Sequence, residues 1–105
     1  TLSSSSAASD VYKRQIPPRS NVAYLGFNLD ENLPHYHYLA NTKGINVNLS
    51  TTAISKDFIF VRYKIDNISY FVFLDKAPEN VSKIFKDLKG LLIFNKKNDV
   101  VIYKL

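Results

Sequence analysis

FIFVRYKIDNISYFVFL, residues 58–74, is the stretch on which the fold turns. Residues 58–65 and 68–74 are aromatic and β-branched runs, the composition that suits a pleated, half-buried surface. Between them stand Asp66 and Asn67, which tolerate the positive φ angles of a tight turn. The pattern predicts a β-hairpin. In its first arm Phe58, Phe60, Arg62 and Lys64 fall on one face, and Ile59, Val61, Tyr63 and Ile65 on the other.

Toward the C-terminus, Pro78 and Glu79 open an amphipathic helix. Val81, Ile84, Phe85 and Leu88 recur at i, i+3, i+4 and i+7, and Gly90 stops it. Residues 91–94 and 100–103 then read as two strands joined through 95–99. Toward the N-terminus, residues 22–27 form a short, nearly continuous apolar run, as in a strand buried on both faces. Asn32, as N-cap, with Pro34 in the first turn, predicts a helix that ends at Gly44. Ile45, Val47 and Leu49 alternate with polar residues, the mark of a half-buried strand. The expected order is β-α-β-β-β-α-β-β. It describes a single small α/β (or α+β) domain, one sheet of five to six strands with two helices.

Composition sets the outer bounds. The chain has 105 residues and a net charge of +5, with 46% apolar and 22% charged residues, which suits one small globular domain. No apolar run reaches the ~20 residues of a membrane helix. Cysteine is absent, which excludes disulfides, thiolate zinc ligands and cysteine nucleophiles. Frequent Asn, Lys and Ile suit an AT-rich, bacterial coding sequence.

Ser5-Ser6-Ala7-Ala8-Ser9-Asp10-Val11-Tyr12-Lys13-Arg14-Gln15 resembles the in-frame translation of a widely used transposase sequencing adapter, residue for residue. Residues 1–15 are accordingly read as a non-native, disordered segment outside the core. Residues 16–105 are read as the C-terminal α/β domain of a truncated larger protein. Without Lys13, Arg14 and Asp10, the 14 basic and 9 acidic residues leave a net charge of +4.

The candidate chemistry is sparse. Asp30, His35 and His37 form the one cluster with ligand potential and are taken as possible ligand-facing residues. On a helix, i and i+2 lie about 200° apart, so the two imidazoles diverge and no metal site is expected. The serines lack a nucleophile elbow, and the glycines form neither a Walker loop nor a dinucleotide fingerprint. No catalytic residue, cofactor or enzyme activity is expected in this piece. Arg62 and Lys64 interleave with Phe58, Phe60 and Tyr63, the makings of a single-stranded nucleic-acid surface. Alternation alone would equally give one buried face and a solvated basic one. Three N-x-S triplets, at Asn48, Asn67 and Asn80, are the number that an Asn- and Ser-rich chain throws up by chance.

Ile16-Pro17-Pro18-Arg19-Ser20-Asn21-Val22-Ala23-Tyr24-Leu25-Gly26 resembles the opening of a recurring C-terminal domain of bacterial polytopic glycosyltransferases of the protein-mannosyltransferase-like superfamily. Lys56-Asp57-Phe58-Ile59-Phe60-Val61 is similar to that domain's aromatic strand. Asp99-Val100-Val101-Ile102-Tyr103-Lys104-Leu105 is similar to its closing strand. The resemblance implies a soluble α/β domain after the last membrane helix, on the extracytoplasmic face of a bacterial membrane. It places the catalytic acid near the N-terminal membrane helices, so no catalytic residue carries over. The implied function is that of a noncatalytic accessory domain, with the N-terminal membrane portion of the same protein as partner. The alternatives are a small basic single-stranded nucleic-acid-binding module and an interaction domain of another kind of parent.

Overall fold

The computed structural model describes residues 16–27, 42–74, 77–96 and 100–105. Its strands are β1 (Asn21–Gly26), β2 (Lys43–Asn48), β3 (Tyr70–Leu74), β4 (Leu91–Lys96) and β5 (Val100–Lys104). Among the described residues two helices accompany them, α1 (Lys56–Ile65) and α2 (Val81–Asp87). The strands form one mixed sheet in the order β2-β1-β3-β5-β4. β1 runs parallel to both β2 and β3, whereas β5 is antiparallel to β3 and to β4. Among the described residues the fold is therefore α+β, one five-stranded sheet with two helices, the class that the sequence pattern implies.

The sheet separates two cores. On one face Ala23, Leu25, Val47, Phe71, Phe73 and Tyr103 pack with Ile59 of α1 and with Val81, Ile84 and Phe85 of α2. On the other, Val22, Tyr24, Val72, Val100 and Ile102 pack with Ile16, and Ile93 and Phe94 join them half-buried. The nearly continuous apolar run of β1 follows from its position between β2 and β3, where both faces are covered. The four-ring cluster on the helical face is tight. Phe85 stacks on Tyr103 with centroids 4.3 Å apart, and Phe71 and Phe73 meet Phe85 at 5.3 and 6.1 Å.

The predicted hairpin is half corrected. Residues 70–74 are a strand, but 56–65 are the helix α1 rather than the hairpin's first arm. Its ends explain why local signals override β-propensity. The Ser55 side chain accepts a hydrogen bond from the Phe58 N–H at 3.1 Å, a true N-cap. Asp57 lies in the first turn, with Arg62 and Lys64 in the last, each complementary to the helix dipole. Asp66 closes the C-terminus through its N–H to the Arg62 carbonyl, and its carboxylate pairs with Arg62 Nη1 at 2.8 Å. Asn67 then takes φ 58°, so the turn pair does supply a left-handed residue, at a helix end instead of a hairpin.

The helix expected from Asn32 lies mostly outside the described residues. Gly44, expected as its stop, is instead part of β2 with φ 135°. A Cβ there would run into the Val22 carbonyl oxygen of β1, so close strand approach demands the glycine. The strand expected around Ile45, Val47 and Leu49 is present as β2, which ends at Asn48 and leaves Leu49 in the turn that follows.

Helix α2 matches its reading. Val81, Ile84 and Phe85 are buried and Leu88 is half-buried against the same core. The stop is a Schellman motif: Lys89 N–H bonds the Lys86 carbonyl, and Gly90 N–H bonds the Phe85 carbonyl at 2.7 Å. The left-handed residue is Lys89, at φ 60°, one place before the glycine. Gly90 serves packing, since a Cβ there would come within 2.9 Å of Leu105 and 3.0 Å of Phe85. The two C-terminal runs pair as β4 and β5, as expected.

Candidate functional site

The outward side of α1 carries the chemistry that the strand reading scattered. Helical spacing sets Lys56, Phe60 and Lys64 in one row and Asp57, Val61 and Ile65 in the next. All six are exposed. Phe60 is 46%, Val61 39% and Ile65 71% accessible, high values for large apolar side chains in a helix this short. The Lys64 ammonium lies 5.9 Å from the Phe60 ring centroid and 5.2 Å from that of Tyr63.

Beside that row runs a groove of about 210 Å³ lined by Phe60, Tyr63, Leu88, Lys89 and Leu105. Three local features build it. The capped helix α1 presents Phe60 and Tyr63, the Schellman turn sets Leu88 and Lys89, and a hydrogen bond from the Leu105 N–H to the Ser69 carbonyl (2.9 Å) fixes the last residue. The groove is smaller than the ~300–1,000 Å³ of most small-molecule pockets. It offers apolar area bordered by ammonium groups, which is a chemistry of binding.

Arg62 belongs to a separate, structural arrangement. Its guanidinium pairs with Asp66 and lies 5.6 Å from the Phe58 ring centroid, while its Nε is buried without a hydrogen-bond partner. The basic aromatic set therefore divides. Phe58 and Arg62 close the helix on itself, whereas Phe60 and Lys64 face outward, with half-buried Tyr63 on the other side of the Lys64 ammonium.

The sequence-derived candidates Asp30, His35 and His37 lie outside the described residues. Among the described residues, no three carboxylate or imidazole groups come together as a metal site requires, and no helix is long and apolar enough to cross a membrane. Two of the sequon asparagines have structural work: Asn48 Oδ1 accepts from the Ser50 N–H at 2.9 Å, and Asn80 Nδ2 donates to the Ile54 carbonyl at 3.2 Å. Two hydroxyls, of Tyr24 and Tyr103, are perturbed. Desolvation pushes the Tyr24 hydroxyl up to about 12, against the opposing effect of its hydrogen bond with Thr42, and raises that of Tyr103 as well.

The missed signal was local. Ser55 three residues before Phe58, Asp57 early and Arg62 and Lys64 late spell a helix, and Arg62–Asp66 is an i,i+4 pair. No protein-family model matches the chain, and no curated protein or solved structure matches it.

Proposed function

We propose that the chain is a noncatalytic accessory domain of a larger membrane glycosyltransferase-like protein, following its membrane portion and helping to shape the acceptor side of the parent's active site. One observation carries the reading. Ile16, at the head of the Ile16-Pro17-Pro18 motif, is only 1% accessible and packs in the core with Val22, Tyr24 and Val72. That burial supports the reading, because it ties the exposed proline pair to the sheet at the place where the resembling domain has a stiff lead-in. The closing segment also supports it, since β5 sits inside the sheet between β3 and β4. Residues 56–61 depart from the pattern, being helical where the resembling domain has an aromatic strand.

The test is the uninterrupted reading frame upstream of Ile16. Several apolar spans of membrane length there are the expected result. A soluble domain in their place would overturn the reading. A second reading, single-stranded nucleic-acid binding, is favoured by Phe60 standing exposed beside Lys64, the pairing of ring and cation on which bases stack.

A further inference from the structure

We infer that the outward face of α1 docks on the surface of an anionic bilayer. The inference rests on the membrane-protein reading above for its location, and on the helix itself for its chemistry. Folding leaves Phe60, Val61 and Ile65 in solvent although Ile59 alone is fully buried from this helix, so the apolar content exceeds what the core uses. Lys56 and Lys64 flank Phe60 in its row, beside the row that holds Val61 and Ile65, and Arg62 is already paired with Asp66. Apolar side chains beside lysines on one helix face match an interface in which hydrocarbon takes the former and lipid phosphates the latter.

Charge complementarity selects an anionic surface. Lys89, at the rim of the adjoining groove, adds a third ammonium, and Asp57 is the one acidic residue in the two outward rows of α1. The aliphatic residues decide between lipid and nucleic acid. Base stacking uses rings and would employ Phe60, but it gives no role to Val61 or Ile65, the latter being the most exposed large apolar residue among those described.

The chain contains no tryptophan, so a single introduced one reports cleanly. Ile65→Trp is mixed at millimolar lipid with vesicles of phosphatidylcholine alone or with phosphatidylglycerol added, in about 0.15 M salt, where exposed charges are screened beyond ~8 Å. The expected result is a blue shift of emission with the phosphatidylglycerol vesicles and none for Lys83→Trp on the exposed side of α2. Adding Phe60→Ser and Val61→Ser to Ile65→Trp should weaken the apparent affinity by about tenfold or more, from the apolar area withdrawn from the bilayer. Lys56→Gln with Lys64→Gln should also weaken it by about tenfold or more. Unchanged thermal unfolding midpoints show that these surface variants remain folded. No shift with either vesicle, or a shift that survives both variant pairs, overturns the inference. So does binding to single-stranded RNA that Phe60→Ser abolishes and Ile65→Ser leaves intact. The upstream reading frame is scored separately: vesicle failure with membrane spans present removes the docking face alone, and vesicle binding without them removes the glycosyltransferase reading alone.

Discussion

Helices α1 and α2 cover the same face of the sheet with different surpluses. α2 buries Val81, Ile84 and Phe85 and shows solvent Ser82, Lys83, Lys86 and Asp87. α1 buries Ile59 and leaves Phe60, Val61 and Ile65 outside. The first is a helix whose apolar residues match the area available to it. The second has strand-like composition held helical by its caps and ion pair, and the mismatch leaves apolar surface with no use in the core. Exposed apolar surface grouped on one helix face is the kind that binding surfaces carry.

The sharpest way to break the comparison is at α2. Phe85→Ala removes the ring that stacks on Tyr103 and meets Phe71 and Phe73, and should cost ~3–5 kcal/mol in denaturant unfolding. A loss under ~1 kcal/mol would show that α2 is not the main clamp on the sheet. The legibility of the two helices differed for the same reason. α2 has a clean 3.6-residue period, so its buried face could be named from the chain alone. In α1, Phe58, Ile59, Phe60 and Val61 run on without a break, and a short apolar run does not separate strand from helix by period. Only Ser55, Asp57 and the Arg62–Asp66 spacing carried the helix, and Asp66-Asn67 mimicked a hairpin turn. The outward site was therefore half legible: its residues were singled out, and their grouping was not. Gly44 failed differently. Its role depends on Val22 in a neighbouring strand, which no local window contains.

Gly44→Ala extends the test to the sheet beneath both helices. A Cβ at φ 135° against the Val22 carbonyl should cost ~1–3 kcal/mol, read by thermal unfolding. A neutral substitution would mean that β2 does not approach β1 this closely.

Tyr24 probes the opposite face, away from both helices. Its hydroxyl is neutral up to about 12 in the fold but ionises near its ordinary 10 in the unfolded chain. The unfolded state therefore holds fewer protons between those values, and stability present below pH 10 is lost as pH rises toward 12. Tyr24→Phe should flatten part of that alkaline decline in pH-dependent unfolding. An unchanged slope would place the hydroxyl in contact with water.

A smaller effect is expected at the end of α1. Asp66→Asn removes the charge that faces Arg62 at 2.8 Å, and both side chains are about one-third exposed, so the loss should be ~0.3–0.5 kcal/mol. A loss of several kcal/mol would make the pair part of the core.

The most direct measurement compares Ile59→Ala with Ile65→Ser in the same unfolding experiment. In a strand the two positions share a face and their losses would be alike. In α1 one is fully buried and the other is the most exposed large apolar residue among those described. Ile59→Ala should lose ~2–5 kcal/mol, while Ile65→Ser should stay within ~0.5 kcal/mol of the parent. Comparable losses at both positions would contradict the helix, and with it the outward apolar face.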